Sequence, residues 1–526
     1  MSKRKVLLLH VLPIILSLII GAVVSYFAGQ DHNWDLLNYH FYNPYAFLHH
    51  RDYFDFAPAG LQTFLNPALD IIPYLLIRHL PAVGAGMLIG AFQGLSIWLV
   101  YEISLIILNP YLKGHALNIL AFVIGAASFF GAGNLSEVGA TMGDNSSGIF
   151  VLIGLLLYLL SRTKRFNKKY IYLLRWLGFL SVGLAVGLKL TNTPYAIALI
   201  VLDLISWNGW RDYLKNIALD GCFMVLGILA SFGFWSAYLY KRFHNPIFPY
   251  YNTLFHSPYY ANVNFTDPRF FPHGLLQTIF YPFFFDVRQH LAAEVYYRDI
   301  RLSVLYALIV LLILVCIVLK LLKKKVTNIP KSTVYLLVFL SVGYILWEYK
   351  FSIYRYLIPI EILSLVAIAS IIFNFIRRPA LSSAIVVGLI SIITVLTIPM
   401  NWGRVPWQKT FLSATFPFSI SKNGLIVLAG SQPEAYMVPF MPPTDPVIRI
   451  DSSLDYGHNT LVNSMLNGEI SYYFNSHKPL YGIISDTTEA KDYSQFNLVP
   501  YHCAPIKTDG PVTPEPISLC DLKRTQ

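Results

Sequence analysis

The sequence predicts an α-helical polytopic membrane protein, with about eleven transmembrane helices and a small extracytoplasmic α/β domain at the C-terminal end. Three observations predict this class. Hydrophobic residues make up 55% of the 526 residues, and charged residues only 13%. The apolar residues form separate runs, several of which reach the ~20 residues that a helix needs to cross the hydrocarbon core. After Met400 the long apolar runs end, and short strand-like segments alternate with helical ones.

The first apolar run, Val6–Phe27, follows three basic residues in Ser2–Lys5. Its apolar core is too long for a signal peptide, and no A-x-A cleavage site follows it. We therefore expect a retained first helix with a cytoplasmic N-terminus.

The segment Asp31–Tyr45 comes next and has a helical amphipathic pattern. The apolar side carries Trp34, Leu37, Phe41 and Tyr45. The polar side carries Asp31, Asp35, Asn38 and Tyr42. This pattern predicts a helix that lies flat at the bilayer surface, with its polar face up and two carboxylates one turn apart. Further along the same loop, Pro58, Pro67 and Pro73 predict short, broken helices over Gly60–His79.

Ten further apolar runs predict the other transmembrane helices. They lie at about residues 82–108, 117–133, 147–160, 171–190, 195–207, 217–240, 303–322, 334–347, 354–376 and 382–400.

Basic residues cluster in alternate loops, at 162–169, 323–331 and 377–378. The loop 134–145 contains two acids instead, and the loop 241–301 contains acids and many aromatic rings. The positive-inside rule therefore places the acid-containing loops and the C-terminal tail outside the cytoplasm. We predict a transmembrane domain over 1–402, with extracytoplasmic loops 29–80 and 241–301, and an α/β domain over 403–526. The net charge of +11 comes largely from the basic loops between the apolar runs, so it does not indicate a nucleic-acid partner.

The tail carries strand patterns at 425–429, 447–450, 479–484 and 497–501, with helical patterns near 433–438 and 460–467. Cys503 and Cys520 lie 17 residues apart in this region, which predicts a disulfide in an extracytoplasmic domain. Cys222 and Cys316 lie inside apolar runs.

No zinc pattern, P-loop, G-x-S-x-G motif or kinase signature occurs in the sequence. The carboxylates of the outer side therefore remain as candidates for chemistry. Asp31 and Asp35 can share a cleft, where burial and mutual repulsion would raise one pKa towards that of a general base. The alternative is a pair of solvated interfacial acids. Glu137 and Asp144 lie in a second acidic turn, whose alternative interpretation is an ordinary loop.

Basic residues are rarer near the outer side. Lys189 ends an apolar run, and Arg355 begins one. A cation at such a position pairs with an acid or binds an anion such as a lipid phosphate. Snorkelling to the interface is the alternative for both, and it is stronger for Lys189.

The segments DxxxDLLNYHFYNPYAFL, APAGLQTFLNP and SIYRYLIPIE, together with the layout of spans and loops, resemble bacterial members of the GT-C superfamily of polytopic glycosyltransferases. The resemblance implies a polyprenyl-phosphate-linked sugar donor, an extracytoplasmic acceptor and an inverting transfer. It also implies that an aspartate of the first loop is the general base. Residue by residue, Asp35 or Asp31 matches the base, and Glu137 and Asp144 match the second acidic position. Arg355 is the nearest match to a ligand of the donor phosphate.

The first acidic motif is DHNWD rather than an adjacent acidic pair, which leaves the choice between Asp31 and Asp35 open. We expect Asn38, Tyr39, His40 and Lys189 to contribute to substrate binding. We also expect Asp31, Asp35, Asp144 and Arg355 to converge on one cavity that opens to lipid and to the outer solvent.

The resulting hypothesis is a glycosyltransferase of the bacterial inner membrane, whose acceptor is a glycan, a lipid or a protein. It requires no cofactor, although clustered carboxylates make a divalent metal possible. The alternatives are a polysaccharide polymerase or ligase, a non-catalytic assembly subunit, and a transporter or flippase. A transporter would carry its charged residues in the middle of the spans.

Overall fold

The structure is a computed structural model. It describes residues 3–163, 166–206, 210–286, 290–324, 328–430, 432–450, 460–485, 493–494, 496–508 and 517–524. The chain divides into two compact units. The first comprises Met1–Ala28, Met87–Ser231 and Asp267–Trp402, and the second comprises Gly29–Gly86, Phe232–Thr266 and Gly403–Gln526.

The described α-helices are, in chain order, α1 (Lys3–Ala28), α2 (Tyr42–Leu48), α3 (Ile71–His79), α4 (Ala82–Leu108), α5 (Gly114–Phe129), α6 (Ala132–Glu137), α7 (Asp144–Ser161), α8 (Lys168–Leu188), α9 (Thr193–Ile205), α10 (Trp210–Phe243), α11 (Asn252–Phe255), α12 (Gly274–Ile279), α13 (Tyr281–Phe285), α14 (Arg301–Leu321), α15 (Lys331–Lys350), α16 (Ile358–Phe375), α17 (Pro379–Leu396) and α18 (Leu461–Asn475). The described strands are β1 (Ala414–Thr415), β2 (Leu425–Ala429), β3 (Val447–Ile450), β4 (Leu480–Ile484), β5 (Leu498–Pro505), β6 (Lys507–Thr508) and β7 (Ser518–Arg524).

A π-helical turn covers Leu36–His40. Short 3₁₀ turns lie at Arg51–Tyr53, Gly60–Phe64, Pro67–Leu69, Leu190–Asn192, Pro268–Phe270, Tyr354–Leu357 and Ala435–Phe440.

Among the described residues, nine helices are long and apolar enough to cross a membrane, and two shorter apolar helices cover Gly114–Phe129 and Leu190–Ile205. Together they coincide with the eleven predicted runs. The chain is therefore a multi-pass membrane protein, and the predicted fold class is confirmed.

Local sequence sets where several of these helices begin. Pro194, Pro359 and Pro379 lie in the first turn of α9, α16 and α17, where proline loses no helical hydrogen bond. Gly143 has φ +83° directly before α7, a conformation that favours glycine.

Close backbone contact joins the helices of the first unit. A Cβ atom added to Gly94 of α4 would lie 2.3 Å from the Ser17 carbonyl oxygen of α1, and one added to Gly21 would lie 2.1 Å from the Gly90 carbonyl oxygen. Small residues permit such contact where lipid supplies no hydrophobic driving force. Within this unit α16 is enclosed, since every residue from Ile358 to Asn374 is buried.

A five-stranded sheet forms the centre of the second unit, in the order β3-β2-β4-β7-β5. β2 pairs in parallel with β3 and β4, and β7 pairs antiparallel with β4 and β5. Cys503 and Cys520 are register partners in β5 and β7, and their Sγ atoms are bonded at 2.04 Å. The four predicted strands are present, but β7 was not predicted, and the helical pattern near 433–438 forms a 3₁₀ turn.

The first loop extends this sheet. The Phe56 amide donates to the Val447 carbonyl at 2.9 Å, and the Arg449 amide donates to the Phe56 carbonyl at 3.1 Å. Asp55 holds the same edge, because its Oδ1 accepts from the Val447 amide at 2.9 Å and from Arg51 Nη2 at 2.7 Å. Main-chain and side-chain hydrogen bonds therefore join the Gly29–Gly86 segment to the tail.

Candidate functional site

The predicted site residues fall into two groups, one in each unit. Asp31, Asp35, Asn38, Tyr39 and His40 belong to the second unit. Glu137, Asp144, Lys189 and Arg355 belong to the first. Their convergence on one cavity stays a prediction, and each group is described by itself.

Asp31 lies before the helix rather than in it. Its Oδ1 accepts hydrogen bonds from Asn33 Nδ2 at 2.5 Å and from the Asn33 amide at 3.2 Å. Asn33 Oδ1 in turn accepts from the Leu36 amide at 2.7 Å, as a helix-capping side chain does. Asp31 therefore orients the residue that starts the helix.

The predicted flat helix over Asp31–Tyr45, with an exposed polar face, is wrong in both extent and exposure. Residues 31–33 are not helical, and Asp31, Asp35 and Asn38 are all buried. Trp34, assigned to the apolar side, is 40% exposed. The prediction failed for two reasons. Asn33 caps the helix, so the helix begins after this residue, and the folded loop buries both the polar and the apolar side chains.

Asp35 directly precedes the π-turn over Leu36–His40. A π-turn joins residues five apart, whereas an α-helix joins residues four apart. His40 therefore follows Asp35 by one π-turn, whereas Tyr39 would follow it by one turn in an α-helix. π-turns occur frequently at functional sites.

Three neighbours of Asp35 have defined contacts. Asn38 Nδ2 donates to the Ala59 carbonyl at 3.1 Å, and the Tyr39 ring lies 4.1 Å from the His40 ring. His40 Nδ1 lies 2.8 Å from Asp70 Oδ1, and both side chains are buried. Asp70 was not singled out from the sequence. The substrate-binding roles of Asn38, Tyr39 and His40 stay predictions.

In the first unit, Glu137 ends α6 and caps α7. Its Oε2 accepts from the amides of Asp144 and Asn145, each at 3.1 Å, which satisfies donors at the helix N-terminus. Burial, with Asp144 as the next cause, raises the pKa of Glu137 well above its usual value. Its contacts favour a positioning role for the acidic turn.

Gln93 of α4 holds the same turn from a neighbouring helix. Its Oε1 accepts from the Gly139 amide at 2.6 Å, and its Nε2 donates to the Ala140 carbonyl at 3.1 Å and to Asn145 Oδ1 at 3.0 Å. Sequence reasoning missed Gln93. The available signal was a single amide side chain inside a long apolar run.

Asp144, at the start of α7, lies between two cations. Lys189 Nζ is 2.7 Å from Asp144 Oδ2 and donates to the Met142 carbonyl at 2.7 Å. Arg355 Nε is 4.0 Å from the same carboxylate oxygen. The structure thus brings together three residues that the sequence proposed separately, and Lys189 is ion-paired rather than simply snorkelling.

The cations lie nearer the surface than the acid. The side chains of Lys189 and Arg355 are 16% and 15% exposed, and that of Asp144 is 3% exposed. The Tyr356 ring lies 5.9 Å from Lys189 Nζ and 5.3 Å from the Arg355 guanidinium carbon. We call Asp144, Lys189 and Arg355 the cation cluster.

Electrostatics keep Lys189 charged. Burial lowers the pKa of its ammonium group, but Asp144 and Glu137 outweigh this effect and raise the pKa above its usual value. Two partly exposed cations held together by one buried carboxylate can receive an anion such as a phosphate. In the described part of the chain, no group of three or more His, Cys, Asp and Glu residues could hold a metal ion. The divalent metal stays a prediction.

No protein-family model and no curated protein sequence matches this chain. Solved structures do match it. Apo ArnT from Cupriavidus metallidurans aligns with a TM-score of 0.54 at 10% identity, over 96% of this chain and 97% of ArnT. ArnT bound to undecaprenyl phosphate aligns with a TM-score of 0.52 at 11% identity, over 99% and 98% of the two chains.

The chain has a GT-C-like fold. ArnT is a membrane glycosyltransferase of the GT-C superfamily, so the resemblance seen in the sequence is confirmed at the level of the fold. The Archaeoglobus fulgidus oligosaccharyltransferase aligns with a lower TM-score of 0.46 at 13% identity, over 92% of this chain and 71% of that one.

Proposed function

We propose that this protein is a membrane glycosyltransferase that moves a sugar from a polyprenyl-phosphate-linked donor to an acceptor hydroxyl outside the cytoplasm. The observation that carries the proposal is the cation cluster in a chain with a GT-C-like fold. ArnT, which shares this fold, was solved with undecaprenyl phosphate bound, which supports a lipid phosphate as the ligand of the two cations.

Lys189 and Arg355 bind the donor phosphate in this proposal, and Asp144 positions them. As the sugar departs, negative charge develops on the phosphate, and the pre-positioned cations stabilise it without further reorganisation. The arginine supplies donors in a planar fork that suits phosphate oxygens, whereas the lysine acts as a point charge.

Asp35 is the preferred general base. Asp35 stands at the start of the π-turn, and Asp31 hydrogen-bonds to Asn33, the residue that caps the helix. The base takes the proton of the acceptor hydroxyl while the oxygen of that hydroxyl bonds to the anomeric carbon of the sugar. The bond from that carbon to the phosphate oxygen breaks, and the lipid phosphate leaves with the bonding electrons. This single displacement inverts the configuration at the anomeric carbon.

The proposed location is the bacterial inner membrane, with a cytoplasmic N-terminus and an extracytoplasmic C-terminal domain. The alternation of basic and acidic loops supports this orientation. The reaction needs no cofactor by this account, and the acceptor is a glycan, a lipid or a protein.

Buried charges between helices do not favour a transporter. Arg162 Nη2 lies 2.6 Å from Asp203 Oδ1, and Arg175 pairs with both Asp203 and Asp220. These pairs join α7, α8, α9 and α10 and neutralise one another, which suits helix packing better than a path for a moving solute.

The direct test uses purified protein in nanodiscs with radiolabelled undecaprenyl-phosphate hexose, and with membranes of the source bacterium as the acceptor. We expect release of undecaprenyl phosphate and transfer of the label to membrane material. UDP-hexose in place of the lipid donor should give no transfer. Intact donor after prolonged incubation would overturn the proposal.

A further inference from the structure

His40 is held at one ring nitrogen and unoccupied at the other. Nδ1 lies 2.8 Å from Asp70 Oδ1, and the two side chains are 3% and 5% exposed. Nε2 is buried and has no hydrogen-bond partner among the residues that the structure describes. A buried polar atom without a partner is costly, and each such atom in a folded protein calls for an explanation.

The contact with Asp70 decides what Nε2 can bind. A carboxylate accepts hydrogen bonds, so the imidazole tautomer that pairs with Asp70 carries its proton on Nδ1. Nε2 then presents a lone pair. The group that meets it must therefore be a donor, such as the hydroxyl of a substrate.

The π-turn decides where the imidazole lies on the helix. His40 follows Asp35 by five residues, the spacing that the main-chain hydrogen bond of a π-turn joins. The residue with the unoccupied acceptor atom and the proposed base thus lie one π-turn apart on the same stretch of backbone. This turn belongs entirely to the second unit.

We infer that His40 Nε2 accepts a hydrogen bond from a second hydroxyl of the acceptor, next to the hydroxyl that Asp35 deprotonates. Asp70 is a positioning residue that fixes the tautomer and orientation of the imidazole. The inference rests on the proposed function, and it names the substrate class. The acceptor carries neighbouring hydroxyl groups, as a sugar does, rather than the single hydroxyl of a serine or threonine side chain.

Two substitutions of His40 separate the two nitrogens. The amide group of asparagine lies as many bonds from Cβ as Nδ1 does, and that of glutamine as many as Nε2. His40→Asn therefore keeps the contact with Asp70 and removes the Nε2 acceptor. His40→Gln removes the contact and keeps an acceptor near the position of Nε2. His49→Asn, at an exposed histidine that ends the next helix, is the matched control.

The experiment measures kcat/KM with undecaprenyl-phosphate hexose and source membranes as the acceptor. We expect His40→Asn to lose about tenfold, the effect of one hydrogen bond, and His40→Gln to retain more activity than His40→Asn. Asp70→Asn should lower kcat/KM when it is introduced into the wild-type protein. Introduced into the His40→Gln variant, it should leave kcat/KM unchanged. A purely structural role predicts the reverse order, because only His40→Asn preserves the buried contact.

The outcomes are distinguishable. If the wild-type protein does not consume the donor, the proposed function fails. If it does, but His40→Asn is as active as His40→Gln or more active, the inference fails alone. Binding of undecaprenyl phosphate should be the same in all variants, and a variant-specific loss there would also overturn an acceptor-side role. If a His40 variant does not fold, the Asp70→Asn variant, which keeps His40, is the test. Full kcat/KM in this variant would then overturn the inference.

Discussion

At the residue scale, one buried carboxylate organises the candidate donor site. Asp144 meets Lys189 at 2.7 Å and Arg355 at 4.0 Å from the same oxygen, while both cations keep some exposure. Two cations that lie beside the same carboxylate oxygen would repel each other if the acid were absent. The arrangement therefore keeps two partly exposed positive charges together, as the proposed phosphate ligand requires.

Arg355→Ala should weaken the binding of undecaprenyl phosphate by about 1.5–3 kcal/mol, the range for a lost hydrogen bond to a charged group. The matched control is Arg269→Ala, at a side chain that is 63% exposed. Titration of both variants with the lipid in nanodiscs checks this. Equal affinities for the two variants would remove Arg355 from the donor site.

Asp286 should make stability depend on pH. Burial raises its pKa to about 7, although its bond with Ser303 opposes this. An unfolded aspartate has a pKa of ~3.9. Between these values the folded state holds a proton that the unfolded state has lost, so stability falls as pH rises through this window.

Asp286→Asn should therefore raise the unfolding temperature at pH 8 and flatten its change between pH 5 and pH 8, as measured in detergent. Asp267→Asn is the control, because its bond with Arg269 lowers the pKa of Asp267. An Asp286→Asn variant as pH-dependent as the wild type would contradict the assignment.

The sequence predicted the residues of the cation cluster, because charges at the ends of apolar runs need partners or ligands. It did not predict Gln93 or Asp70. Gln93 contacts a turn 46 residues away, and Asp70 meets His40 across 30 residues. Such partners depend on tertiary folding, which no local pattern encodes.

At the scale of elements, hydrophobic periodicity located the spans but not their local deviations. The Asp31–Tyr45 pattern fits an α-helix, whereas the chain begins its helix after Asn33 and inserts a π-turn at Leu36–His40. Because a π-turn contains one residue more than an α-helical turn, it shifts every later side chain to a different side of the helix. A single sequence carries no clear sign of that change.

The close backbone contact between α1 and α4 can be tested by substitution of a glycine. Gly94→Ala should destabilise the protein by about 1–3 kcal/mol, the usual cost of overpacking, because the new methyl group would meet the Ser17 carbonyl. Gly388→Ala, in α17, has nothing within 4 Å of the added Cβ. It should be neutral or stabilising by up to ~1 kcal/mol, since alanine favours helix. Thermal unfolding that shifts equally in both variants would refute this packing.

At the scale of the whole molecule, the two units interleave along the chain. The sequence assigned 403–526 to a separate domain, and the compact unit that contains this tail also includes 29–86 and 232–266. The bridge between Phe56 and Ile448 links residues almost 400 positions apart. Composition marks where apolar runs end, but it does not show which distant segments pair.

The predicted topology follows from the charge of the loops. Reporter fusions after Arg165 and after Gly424 should report opposite compartments, cytoplasmic for the first and extracytoplasmic for the second. A fusion after Gly403 is the control for the second position and should agree with it. The same compartment for Arg165 and Gly424 would contradict the orientation and, with it, the extracytoplasmic acceptor.

The central claim is that a first-loop aspartate drives transfer from a lipid-linked donor, and Asp35→Asn tests it most directly. The measurement is turnover of undecaprenyl-phosphate hexose by the purified variant, beside its affinity for undecaprenyl phosphate and its unfolding temperature. We predict a loss of ~10²–10⁴-fold in rate, the usual effect of removing a general base, with the affinity for undecaprenyl phosphate unchanged. Asp31→Asn should instead lower the unfolding temperature, because it weakens the contacts with Asn33. Full turnover by Asp35→Asn would contradict the account.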